Sequence, residues 1–316
     1  MAALRRTLRR EAALPDAPAG EPGTQRTRLG DDPTTWPLFE DLLEDVHAAE
    51  SRPAAQPESA AADDPFAADL LAWRRDGFVV RRGFAPPHLV DAYSAVCKAL
   101  GRPEGWHSPV PYLQVAEIRG LCLFPELMRL LERLIGAEMG LHLNLTGWVS
   151  SERTWNQDAY LNPDFVGARY CGVWVALDDI HPDSGPLEVI PGSHRWGAMS
   201  GARVRAYLTD DEARQIGHEH AGDAGHWAKY AEPFVTRAFE ERIARAGVEP
   251  VPFLGRKGDV LVWHAHLAHR GSAPRRRDLE RRALISHYSA VAHRPDMTFV
   301  RDTAGGAFAT FDIPLY

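Results

Sequence analysis

The chain has 316 residues, 45% of them hydrophobic, enough to bury the core of one large domain or two small ones. Thirty-six Lys and Arg against 43 Asp and Glu leave a net charge of −7 with no long basic block, so nucleic acid is excluded as an expected partner. No run of about 18 apolar residues marks a membrane span, and the Arg-rich start lacks a secretory apolar stretch; no membrane partner and a cytoplasmic location are expected.

In chain order, residues 1–65 are rich in Ala, Pro, Asp, Glu and Arg and read as an extension, partly disordered or wrapping. One helix is expected there, around TTWPLFEDLLEDVHAAE, docking through Trp36, Leu38, Phe39, Leu42 and Leu43. Residues 66–316 read as a single domain. FAADLLAWRRDGFVVRRG predicts a helix and a short strand, followed by an amphipathic helix with apolar residues at 89, 90, 93, 96, 97 and 100. FPELMRLLERLIG places Leu127, Leu130, Leu131 and Leu134 on one helical face, and both helices read as supports for a sheet. Cys97, Cys122 and Cys171 lie in apolar surroundings, at spacings that fit neither a zinc site nor a disulfide framework, and read as buried thiols.

After residue 140 the period changes to that of strands: LHLNLTGWV, ARYCGVWVALDDI, GPLEVIPGS, GDVLVWHAHLAH and RRALISHYSAV, each bounded by Gly, Pro, Asp or Ser. Helices first and many short strands later predict an α+β fold with a sandwich or barrel at its heart. Residues 205–248 interrupt the strands with polar helical text, an insertion expected to form a lid over a bound substrate and to set specificity.

Iron(II) oxygenases hold their metal with two imidazoles and one carboxylate, and residues i and i+2 on a strand point the same way. In TWNQD, Asp158 follows Asn156 by two, and a late strand about a hundred residues on carries His264, His266 and His269. By parity His264 and His266 share a face, and His269 points with Trp263 unless the strand bends. Taken alone, an Asp after a Trp is ordinarily a turn residue, and His264 and His266 read first as packing groups.

Four blocks together resemble the phytanoyl-CoA dioxygenase family of iron(II)/2-oxoglutarate oxygenases: DGFVVRRGFAPPHLVDAY, TWNQDAYLNP, GVWVALDDIHPDSGPLEVIPGSHRWG and GDVLVWHAHLAHRGSAPRRRDLERRALISHY. The resemblance implies a double-stranded β-helix, a jelly-roll or cupin-like core with supporting N-terminal helices. It implies Fe(II) and 2-oxoglutarate as cofactors, with a small-molecule substrate and O2 as partners. Carried across by position, Asp158 matches the carboxylate ligand, His269 the distal imidazole, and Arg281 the cation for the far carboxylate of 2-oxoglutarate. Ser272 is a second donor to that carboxylate, and Arg282 is turned to the other face by strand alternation.

Asn156 departs from the pattern, standing where the resemblance implies a ligand histidine. Three explanations stay open: a natural non-catalytic relative, a variant, or an enzyme that tolerates Asn, water or a nearby histidine at that position. The reading is therefore an oxygenase acting on a small-molecule C–H bond, with bacterial secondary metabolism as the expected setting. The alternatives are an inactive small-molecule binding protein on the same fold, and a cupin-like protein using His264, His266 and His269 for another metal.

Overall fold

The computed structural model describes residues 36–44, 64–101, 105–106, 108–146, 152–219, 227–303 and 305–311. The expected N-terminal helix is represented there by a single 3-10 turn, Phe39–Leu42, whose Phe39 and Leu42 are buried while Leu38 is exposed. The remainder of that stretch lies outside the described residues.

Helix α1 (Ala67–Asp76) leads into strand β1 (Phe78–Arg81), and α2 (Pro87–Leu100), α3 (Ala116–Cys122) and α4 (Pro125–Ile135) follow. Proline at the first position of α2 and of α4 suits a helix start, where its missing N–H costs nothing. The predicted stripes are the buried faces: Val90, Tyr93 and Cys97 in α2, and Leu127, Leu130, Leu131 and Leu134 in α4. All three cysteines are buried, and none of them forms a disulfide.

The strands follow as β2 (Met139–Leu145), β3 (Arg153–Asn156), β4 (Tyr170–Ala176), β5 (Leu187–Val189), β6 (Val251–Pro252), β7 (Val260–His264), β8 (His269–Gly271), β9 (Ala283–Ala290), β10 (Thr298–Arg301) and β11 (Ala307–Thr310). They form a seven-stranded sheet, β1-β7-β4-β9-β2-β11-β10, and a four-stranded sheet, β3-β8-β5-β6. Pairing is antiparallel except between β2 and β11. This is the jelly-roll arrangement expected, with the helices on one face of the larger sheet.

Side-chain alternation divides that sheet cleanly. Val173, Val175, Val260, Val262, Leu284 and Tyr288 pack with the helices in the main core. Trp174, Leu261, Trp263 and Ala283 point the other way and meet Leu187 and Val189 of the smaller sheet. GDVLVWHAHLAH is not one strand: β7 stops at His264, a turn intervenes, and β8 restarts at His269 in the other sheet. The insertion forms α5 (Gly201–Ala206), α6 (Asp210–Glu219) and α7 (Trp227–Ala246). Phe234, Val235, Ala238 and Phe239 of α7 pack with Trp155 of β3 and with Phe39 and Leu42 of the N-terminal turn.

Three imidazoles sit at the joint between α1 and the sheet. Gly77 ends α1 at φ 79, and a Cβ there would lie 2.4 Å from His194 Nδ1, so only glycine fits. His264 lies with its ring centroid 4.9 Å from His266 and 5.4 Å from His194. Burial holds all three below the usual histidine range, His266 at about 4. The fold therefore keeps them neutral while the unfolded chain takes up protons near 6.5. Stability from this joint is fully present above that pH and is lost as pH falls through it towards the folded values. Urea midpoints are expected to drop between pH 7 and pH 5, and His266→Gln should flatten the profile by up to about 1.4 kcal/mol per pH unit. A profile that the substitution leaves unchanged would show that the joint does not titrate.

Candidate active site

A cavity of about 520 Å³ opens between the two sheets. Asn156 and His269 are directly opposite in the β3–β8 pair and both line it. Arg153 lines it too, because the β3–β8 register shifts between residues 153 and 156 and undoes the alternation. From the larger sheet come Leu143, Tyr170, Trp263, Ile285 and His287, and Arg281 lies at the foot of β9.

Asp158 sits just beyond β3, where its backbone N–H donates to Ala265 O at 3.0 Å. Its carboxylate is buried. Trp263 Nε1–H donates to Oδ2 at 2.8 Å, and Oδ1 stands 3.6 Å from His269 Nε2. His269 Nδ1 lies 2.9 Å from Leu267 O, which can only accept, so Nδ1 carries a hydrogen and Nε2 is the nitrogen turned to Asp158. A buried carboxylate oxygen and an imidazole nitrogen thus face each other across a gap that a cation can bridge. Among the described residues no three His, Cys, Asp or Glu side chains form a complete metal-holding group. Asp158 and His269 are brought together, and Asn156 stands beside them.

Asn156 is committed elsewhere in part: its Nδ2 donates to Thr154 O at 3.2 Å and to His269 O at 3.0 Å. The carboxamide clips the strand pair, and Oδ1 is the atom it can offer a metal. Arg281 is buried and donates to Gly185 O, while its Nε has no partner. Burial without a carboxylate beside it pushes this guanidinium down to about 10. Such a group calls for an anion. Arg282 turns away, as alternation requires, and pairs with Asp178 and Glu280.

One expected participant, Ser272, lies elsewhere, and so do His264 and His266 of the cupin-like alternative. Ser272 does not line the cavity, and its hydroxyl donates to Pro186 O at 2.7 Å. His264 and His266 belong to the α1 joint described above. The insertion also lies differently from a lid: no described residue of 205–248 lines the cavity, and α7 packs behind β3 instead. The outer wall comes from Pro109, Val110, Leu161, Pro163, Met297 and Phe311. His287 and Tyr170 were not singled out in the sequence, although residues 281, 283, 285 and 287 share one strand face and that parity was available.

Residues 136–283 match the family described as Phytanoyl-CoA dioxygenase (PhyH), a span that holds Asn156, Asp158, His269 and Arg281 but not the opening block. No curated protein matches the chain. EctD from S. alaskensis in its apoform is similar in structure at 19% identity and TM-score 0.53, over 82% of this chain and 89% of that one. EctD with 2-oxoglutarate and 5-hydroxyectoine is similar at 19% identity and TM-score 0.52, over 82% and 88%. The nogalamycin epimerase SnoN aligns at 20% identity and TM-score 0.47, over 69% and 80%. The EctD likeness shows a shared fold.

Trp263→Phe keeps an aromatic side chain but removes the donor to Asp158 Oδ2 together with part of a buried indole. A hydrogen bond to a charged buried group contributes about 1.5–3 kcal/mol, so the urea midpoint at pH 7 is expected to fall accordingly. An unchanged midpoint would mean that the carboxylate finds another donor without cost.

Proposed function

On a chain that carries a phytanoyl-CoA dioxygenase family region at residues 136–283, we propose an iron(II)- and 2-oxoglutarate-dependent oxygenase acting on a C–H bond of a small molecule. The observation that carries this reading is the facing of Asp158 Oδ1 and His269 Nε2 in a buried cavity, with a buried guanidinium in its wall whose Nε has no partner. When bound, iron and 2-oxoglutarate supply oxygen activation, with decarboxylation of the cosubstrate to succinate and CO2.

The chain's own residues supply position and exclusion. Asp158 and His269 hold the metal, one as a charged donor and the other as a lone pair fixed by its bond to Leu267 O. Asn156 adds a weaker carboxamide oxygen. Arg281 takes the far carboxylate of 2-oxoglutarate, since a planar guanidinium grips a carboxylate through two parallel bonds. Trp263 keeps Oδ2 engaged so that Oδ1 is the oxygen turned towards His269. The apolar wall excludes water from the reacting C–H bond. We place the protein in the cytoplasm; among the described residues no helix is long and apolar enough to cross a membrane.

A second reading, a binding protein without turnover, is favoured by one observation: the Asn156 amide nitrogen is tied to two backbone carbonyls. Anaerobic titration of Fe(II) and 2-oxoglutarate, followed by succinate assay under oxygen, separates the two. Asp158→Ala and His269→Ala are expected to lower iron affinity by at least ~10 to 100-fold. Arg281→Ala should weaken 2-oxoglutarate by roughly 30-fold with iron affinity retained. Iron and 2-oxoglutarate binding without succinate would favour the second reading, and failure to bind iron would overturn the first.

A further inference from the structure

Besides Trp174 Nε1, the cavity lining holds a buried, unpartnered polar atom that neither iron nor 2-oxoglutarate accounts for. His287 is buried at 5% exposure and lines the cavity, and its Nε2 has no hydrogen-bond partner. Its Nδ1 is hydrogen-bonded to the Tyr170 hydroxyl and lies 4.0 Å from Asp158 Oδ2.

The surrounding bonds fix which nitrogen carries the proton. Burial pushes the Tyr170 phenol well above its usual range, so the hydroxyl keeps its hydrogen. Asn162 engages the Tyr170 oxygen while its Nδ2 also donates to Asp158 O at 2.9 Å. With its oxygen lone pair taken by an amide donor, Tyr170 gives its own hydrogen to His287 Nδ1. With Nδ1 accepting from Tyr170, the ring hydrogen sits on Nε2, a buried donor without an acceptor, an unfavourable arrangement unless a ligand fills the role.

What fills it can be read from the neighbours. Leu143 is the direct cross-strand partner of His287, and Leu145 is that of Ile285. Val110, Leu161 and Phe311 extend an apolar wall, interrupted in the same lining by Arg153 and by Arg294, which is paired with Asp296. A five-carbon diacid is ill matched to such surroundings, whereas a largely apolar molecule with one oxygen fits them. We propose that His287 Nε2–H anchors a hydrogen-bond-accepting oxygen on an otherwise apolar primary substrate. Because Asp158 is adjacent, the oxidised C–H bond would lie close to that oxygen-bearing carbon. This assignment rests on the oxygenase reading only in calling the ligand a substrate.

Two near-isosteric probes test it: 2-acetonaphthone, which has a carbonyl, and 2-ethylnaphthalene, which has a methylene in its place. Binding of each to the full chain is measured by fluorescence, with Mn(II) and 2-oxoglutarate present. His287→Phe is expected to weaken the ketone about tenfold relative to the hydrocarbon, and His287→Gln, which retains a donor, should keep most of the preference. Unaltered hydrocarbon binding by a variant shows that its cavity is intact. Tyr170→Phe gives a second route, because it frees Nδ1 and should erode the preference with His287 in place. Nitrogen-15 NMR of the wild type should show the His287 proton on Nε2. An equal ketone-to-hydrocarbon ratio in wild type and His287→Phe, binding of neither probe, or a proton on Nδ1 would overturn the proposal. So would a tenfold loss of 2-oxoglutarate affinity in His287→Phe with the probe ratio unchanged, which would assign the donor to the cosubstrate. If wild type binds neither Mn(II) nor 2-oxoglutarate yet shows the probe preference, the oxygenase reading fails and the anchor stands.

Discussion

The hydrogen bond from Trp263 Nε1 to Asp158 Oδ2 is the constraint on which the site depends. Asp158 lies outside any strand, so nothing in the sheet ladder fixes its side chain. Its backbone is held by Ala265 O from the turn between β7 and β8, and its carboxylate by an indole from the end of β7. The indole can lie there because residue 172 has no side chain; a Cβ at Gly172 would come within 2.0 Å of the Trp263 ring. One small residue on β4 thus decides where the indole sits, which carboxylate oxygen it engages, and which one is left facing His269.

Much of this was open to sequence reasoning, for reasons that differ by element. The helical stripes of α2 and α4 and the alternation in β4 and β9 follow from burying one face, which composition alone encodes. Asn156, Asp158, His269 and Arg281 came from their place in a resemblance, and all four line one cavity. Ser272 did not follow, because its hydroxyl donates to Pro186 O, just before β5, rather than into the cavity. GDVLVWHAHLAH, residues 258–269, reads as one strand because apolar residues recur through its second half, between the histidines. The break is made by tertiary pairing, with β7 between β1 and β4 and β8 between β3 and β5. Strands β10 and β11 carry too weak an alternation to announce themselves.

The helical insertion changes meaning once placed. It acts on β3 from outside: Thr154 Oγ1 donates to Glu232 at 2.9 Å, and Trp155 packs into the α7 cluster. The N-terminal turn joins the same cluster, with Glu40 paired to Arg245 across 2.9 Å. A short strand with an irregular register is poorly fixed by its own ladder. Backing it with a 20-residue helix restores the stiffness that two cavity-facing side chains, Arg153 and Asn156, require.

The spacing of Arg281 and His287 has a consequence for how such a pocket can diversify. Both belong to one extended run and one face, so their separation changes only in steps of two residues, about 6.6 Å at a time. Fine adjustment along that run is unavailable to point substitution, since a single-residue insertion would turn one of the two groups into the helical layer. Ligands of different length must then be accommodated at the rim, by Pro109, Leu161, Met297 and Phe311, while the two fixed groups act as an unchanging ruler beneath them.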